Sequence, residues 1–274
     1  MGAPMRAALP FVLCIPSFAS SARQYRGLER RLAGRAQVVA ADLYGHGDRG
    51  PWHGARRFTL ADEAAFFEAL LPEEPPVHLV GHSYGGAVAL RIAATNPARV
   101  RSLALYEPAI WGTLAELCRA EPPTLEIEAV RDDTLRLLEA GDDAAAAERF
   151  IDYWAGEGGW AATPQERRPR LRAAVRSLRD GWPASFAERW TPAALGSLDI
   201  PCLLVTGTRS TRAARRAVAL LRGLLRDVQV VELDGLGHLG PITHPERVDA
   251  VLEAFLLQHA RRTAEYAYKD ALFP

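Results

Sequence analysis

The chain has 274 residues, with 33 basic against 33 acidic side chains and a formal net charge of zero, so no long-range field favours nucleic acid or an anionic membrane as partner. That length can bury a sizeable core and is read as one α/β unit carrying an insertion. Cys14, Cys118 and Cys202 are widely spaced and contain no C-x-x-C pair, which argues against a disulfide framework or a cysteine-based zinc site and points to a reducing, cytoplasmic setting. Lys269 is the only lysine, a bias read as codon usage and not as function.

In chain order, Arg6, the apolar run from Ala7 to Ile15 and then Ala19-Ser20-Ser21-Ala22 have the outline of a signal peptide and its cleavage site. The elements that follow need the same run as a first strand, near 8–15, and that reading is adopted. A helix is expected over Gln24 to Leu32 and a strand near 36–41. A Gly-rich loop then holds His46 and His53, both candidates for lining a pocket. Thr59 opens a helix running on through Ala64 to Leu71. Further strands are expected near 77–81, 100–106, 200–206 and 228–233, and Pro245 to Ala260 closes the sheet as a helix. Short apolar strands alternating with helical patterns predict an α/β fold with a doubly wound, mostly parallel sheet of about six strands. No stretch approaches the ~18 continuous apolar residues of a membrane span.

The interval 108–198 is far too long for an ordinary crossover and predicts an inserted helical lid, leaving 1–107 and 199–274 as the core. Amphipathic stretches at 124–139, 142–154 and 166–180 are punctuated by Gly141, Gly156, Gly158-Gly159 and Pro183. Arg168, Arg172, Arg176 and Arg179 share one helical side, read as a solvated face. Trp111, Trp154, Trp160, Trp182 and Trp190 fall in the insert. Most should pack, while Trp111 and Trp154 are candidates to meet an apolar acyl or aromatic group.

The chemistry concentrates at Gly81-His82-Ser83-Tyr84-Gly85-Gly86, a G-x-S-x-G pattern between an apolar strand and an Ala/Leu-rich helix. A sharp strand-to-helix turn there would expose Ser83 Oγ as a nucleophile, with Gly81 and Gly85 admitting close backbone approach. The N–H of Tyr84 would point to where an oxyanion forms. A serine hydroxyl needs an imidazole to take its proton and a third group to fix the tautomer. His238, in Gly235-Leu236-Gly237-His238-Leu239-Gly240 after the last strand, is the candidate base because that loop lies at the carboxyl edge of the sheet. His82, Ser17 and Leu239 are candidates for substrate contact, although the side chain of His82 should point away from that of Ser83.

The element order, the elbow, the loop Asp42-Leu43-Tyr44-Gly45-His46-Gly47 and the late Gly-x-Gly-His make the chain resemble the α/β-hydrolase superfamily over roughly 8–260. The resemblance implies a central parallel sheet, a lid after the strand ending near Tyr106, and a Ser-acid-His triad in that order. Three departures stand out. The first hairpin is missing. Pro16-Ser17 replaces the usual His-Gly of the oxyanion loop, which makes the N–H of Phe18 the second donor, since Pro16 has none. Ser210 stands where many relatives carry the triad aspartate. Glu107, directly after the strand ending at Tyr106, occupies the position used by some lipases and haloalkane dehalogenases, and is assigned as the acid; Asp234 and Asp199 are the other candidates. Serine at the elbow, where dehalogenases and epoxide hydrolases carry aspartate, removes an alkyl-enzyme mechanism and leaves acyl transfer. The resemblance thus implies a cofactor-independent, metal-free hydrolase of small to medium acyl or aryl esters or thioesters. Hydrolysis of a C–C bond, lactone or amide, or ligand binding without turnover, are the alternatives.

Overall fold

The computed structural model describes residues 9–272, with side chains through residue 260. The start of the signal-like segment, including Arg6, lies outside the described residues. One sheet contains β1 (Phe11–Ile15), β2 (Gln37–Ala40), β3 (Val77–His82), β4 (Val100–Tyr106), β5 (Cys202–Gly207) and β6 (Val228–Leu233). Their order is β2-β1-β3-β4-β5-β6 and every pairing is parallel, so the sheet expected to be mostly parallel is wholly so among the described residues. Each strand falls on an expected apolar run, and β3 and β5 are buried at every position because helices cover both faces. The edge strands β2 and β6 are only partly covered.

Alternating strand positions feed two cores. On one face Val12, Cys14, Val80, Ala104, Leu203 and Val205 pack against α1 (Arg26–Leu32) and the C-terminal helix Pro245–Leu272. On the other, Leu13, Ile15, Leu79, Leu103, Leu105 and Leu204 meet α2 (Leu60–Glu68), α3 (Tyr84–Thr95) and the helix Arg212–Leu224. Thr59 and Asp62 form a reciprocal capping box at the start of α2. The winding direction reverses between β1 and β3, and the crevice beyond their carboxyl ends is where such sheets hold ligands.

Between β4 and β5 the chain is helical: α4 (Trp111–Leu117), α5 (Pro122–Glu139), α6 (Asp143–Ala155), α7 (Gly159–Ala162), α8 (Arg168–Arg176), α9 (Leu178–Ala187) and α10 (Pro192–Gly196). Helices α5 and α6 match the expected amphipathic stretches. The third stretch, 166–180, is instead divided at Ser177, whose hydroxyl bonds the Ala174 carbonyl and competes with helix continuation. Pro183 does not punctuate the insert but lies inside α9. The arginine face is largely tied down: Arg168 donates to the carbonyls of Thr163 and Ala161, while Arg176 and Arg179 both pair with Asp143 at the start of α6. The remaining helices are α11 (Arg212–Leu224), α12 (Gly240–Thr243) and α13 (Pro245–Leu272), the last longer than expected. All three cysteines are free and buried. Among the described residues no helix is long and apolar enough to cross a membrane.

Candidate active site

Strand β3 delivers the chain to Ser83, whose backbone takes φ 54° and ψ −117°. Such a conformation costs a non-glycine residue roughly 1–3 kcal/mol and survives only when its surroundings enforce it. Here the Ser83 N–H donates to the Tyr106 carbonyl at 3.0 Å, and its own carbonyl accepts from Ala109 at 2.9 Å and Ala87 at 3.1 Å. The turn is tight enough that a Cβ at Gly81 would lie 2.5 Å from the Gly85 carbonyl oxygen and 2.6 Å from Gly86 Cα. A Cβ at Gly85 would collide with the carbonyl oxygens of Ile15 and Pro16, so α3 begins directly against the end of β1. Backbone atoms cannot yield as a flexible side chain does. Gly85→Ala is therefore expected to destabilise the fold by roughly 1–3 kcal/mol, read as a lowered Tm in thermal denaturation.

His238 reaches Ser83 from the loop between β6 and α12, with Nε2 3.0 Å from Ser83 Oγ. Its Nδ1 lies 2.7 Å from Glu107 Oε2. A carboxylate at Nδ1 fixes the tautomer with the proton on Nδ1, leaving Nε2 free to accept from the serine hydroxyl. Glu107 is wholly buried, and its second oxygen accepts from the Thr206 hydroxyl at 2.7 Å and the Gly207 N–H at 3.0 Å. Burial pushes the Glu107 carboxyl up, but the hydrogen bond and charge of His238 together with Ser210 and Thr206 outweigh it and hold the group below the usual glutamate range. Ser210 acts there only by proximity, since its buried hydroxyl makes no hydrogen bond of standard geometry. The other acid candidates are elsewhere: Asp234 accepts from Thr208 at 3.2 Å on the surface, and Asp199 is exposed.

Two further side chains hold the loop that carries His238. The Tyr106 hydroxyl donates to the Gly237 carbonyl at 2.7 Å, and His82 Nε2 donates to the His238 carbonyl at 2.9 Å. Burial drives the His82 imidazole well below its ordinary pKa, so it stays neutral, with Nδ1 accepting from Gln24 Nε2 at 3.2 Å. The expectation of substrate contact at His82 is thus corrected: successive side chains on a strand face opposite ways, and this ring is committed behind the site.

The structure brings several other expected residues together. Phe18 follows β1, packs against Tyr84 with tilted rings whose centroids are 4.1 Å apart, and its N–H donates to no protein acceptor among the described residues. Tyr84 opens α3, where a helix leaves its first N–H groups unpaired. Ser17 is buried with its hydroxyl unpartnered. Trp154, on α6, stacks over the His238 ring at 3.9 Å and 28°, and Trp111 stacks behind it at 6.1 Å. Leu239 is half-buried against the larger core. His53 is exposed, whereas His46 is buried and bonded to the loop after β1, a role that spacing alone did not suggest. Gln24 and Tyr106 were likewise missed, for no motif links either to His238.

The description "Alpha/beta hydrolase family" matches residues 12–251. Lipase LipV of Mycobacterium tuberculosis is 30% identical over 80% of this chain and 83% of its own length. A pimeloyl-[acyl-carrier protein] methyl ester esterase of Aeromonas hydrophila is 26% identical over 90% of this chain and 95% of its own. The solved structure of a thermophilic esterase from Thermogutta terrifontis superposes with a TM-score of 0.72 at 20% identity, covering 92% of this chain and 91% of that one, which is a likeness of fold. That match, over residues 12–251 of a 274-residue chain, establishes that the chain belongs to the alpha/beta hydrolase family.

Proposed function

We propose that the protein is a serine hydrolase that cleaves small to medium acyl or aryl esters, or thioesters, through an acyl-enzyme intermediate. The observation that carries this reading is the unbroken hydrogen-bonded series Ser83 Oγ, His238 Nε2, His238 Nδ1, Glu107 Oε2 at 3.0 and 2.7 Å. Ser83 Oγ attacks the ester carbonyl as its proton passes to His238 Nε2. Glu107 orients the imidazole and stabilises the imidazolium. The N–H groups of Tyr84 and Phe18 donate hydrogen bonds to the developing oxyanion, a contribution worth on the order of 10²-fold or more in turnover for each donor. The C–O bond then breaks, the leaving alkoxide takes the proton from His238, and the acyl group stays on Ser83. Water, deprotonated by the same imidazole, releases the acid and restores Ser83. The reaction calls for no cofactor or metal ion.

Residues 108–198 are assigned as a cap on a core formed by 1–107 and 199–274. Support comes from Trp154, an insert residue lying on the His238 ring. Ser83 and His238 are only 7% and 2% exposed, which fits a site covered by such a cap. Ser17, Trp111, Trp154 and Leu239 are assigned to the pocket wall, which favours an apolar acyl or aryl group. Three buried free thiols fit a reducing cytoplasmic setting.

A panel of p-nitrophenyl esters from acetyl to octanoyl tests the substrate class, with the matching p-nitroanilides alongside. The reading expects saturable turnover of the shorter esters and at least about a hundredfold lower kcat/KM on the anilides. Anilide cleavage as fast as ester cleavage would move the assignment to amides.

A further inference from the structure

We propose that His46 is a positioning residue that holds the oxyanion loop in its working shape, an inference that rests on the serine-hydrolase reading above. Three non-glycine residues among those described have positive φ: Ser83 at 54°, Glu107 at 44° and Ala19 at 57°. The first two are the proposed nucleophile and acid. Strained backbone collects where function requires it, so the third is informative. Ala19 is the third residue of the turn Ser17 to Ser20, closed by the Ser20 N–H on the Ser17 carbonyl at 3.3 Å. A turn with positive φ at that position ordinarily uses glycine or asparagine, and alanine there must be held from outside.

His46 supplies that hold. Its Nε2 accepts from the Ala19 N–H at 3.1 Å, while Nδ1 donates to the Tyr44 carbonyl at 2.9 Å, which sets the tautomer. The same ring lies 5.3 Å from the Phe18 ring, so it supports the residue whose N–H is the second oxyanion donor. A second clamp acts three residues on, where Asp42 Oδ1 accepts from the Ala22 N–H at 2.7 Å. Burial lowers the His46 imidazole to about 4, with the Tyr44 carbonyl and Asp42 opposing, so Nε2 remains an acceptor at neutral pH. The loop carrying Pro16-Ser17 is thus held by a histidine from the loop after β2.

Two substitutions separate the positioning role from mere support of the 42–50 loop. In His46→Asn the amide can keep the bond to Tyr44 but cannot reach Ala19. In His46→Gln the longer amide can accept from Ala19 and gives up Tyr44. Both are compared with wild type by thermal melting, by p-nitrophenyl butyrate kinetics, and by affinity for phenylboronic acid, whose serine adduct is tetrahedral and anionic. The expected result is a fall in kcat on the order of 10²-fold in His46→Asn with KM within about threefold, and a parallel loss of boronate affinity. His46→Gln is expected to recover at least tenfold of both. Equal losses in the two variants, or a folded His46→Asn with kcat and boronate affinity within about twofold of wild type, would overturn the positioning role while leaving the triad standing. An unfolded His46→Asn beside a folded, fully active His46→Gln supports it only if boronate affinity is retained in the latter, and loss of that affinity overturns it. A wild type that neither turns over esters nor binds boronate overturns both this inference and the reading beneath it.

Discussion

His238→Ala is expected to lower kcat on short-chain esters by about 10⁵–10⁶-fold, the scale seen when the base of a serine triad is removed. A serine hydroxyl is almost wholly protonated at neutral pH, and the only base within hydrogen-bond reach of Ser83 Oγ among the described residues is His238 Nε2, at 3.0 Å. Substrate binding should persist, because the helices of residues 108–198 and the Tyr84 and Phe18 backbones remain. The change also leaves Glu107 Oε2 without its partner in a fully buried position, which costs roughly 1–3 kcal/mol or more for a charged group. A lowered Tm therefore accompanies the lost turnover. Single-turnover kinetics above Km separates the two effects, since the folded fraction can be measured beside the rate.

Glu107→Gln is expected to reduce kcat by about 10⁴-fold with little loss of stability. The amide has the volume of the carboxylate, and its oxygen can still accept from Thr206 and Gly207, so the packing survives. What changes is the group facing His238 Nδ1. An NH₂ there is a donor, and it favours the tautomer with the proton on Nε2, which cannot accept from Ser83. Steady-state kinetics with circular dichroism as the folding control checks this. A variant retaining more than a tenth of wild-type kcat would reassign the acid, and Asp234 is too exposed and too firmly paired with Thr208 to be the natural successor.

The six strands were legible because each is a short apolar run bounded by turn residues, and because a buried parallel sheet imposes that pattern on both faces. The elbow was legible for a different reason: its glycines answer to contacts with Gly85, Gly86, Ile15 and Pro16 that no larger residue allows. Glu107 was legible only through the family resemblance, which singles out a carboxylate placed directly after the strand ending at Tyr106, and Asp234 and Asp199 stayed open beside it. His82 shows the limit. Its ring was already expected to point away from Ser83, but the partner it finds there, Gln24, lies 58 residues earlier and is joined to it by no motif. The pairing of His46 with Ala19 joins two loops through a single hydrogen bond, and the positive φ that calls for it leaves no mark when the residue is alanine. Ser177 ended a helix through a local side-chain bond that amphipathic periodicity does not register.

Whether Ser83 is an activated nucleophile is decided by intact-mass detection of labelling by a fluorophosphonate, with wild type and Ser83→Ala compared side by side. An activated serine reacts with such a reagent where an ordinary hydroxyl does not. A single adduct is expected on wild type and none on Ser83→Ala, with both proteins folded. A folded wild type that stays unlabelled, or an adduct that persists in Ser83→Ala, would contradict it.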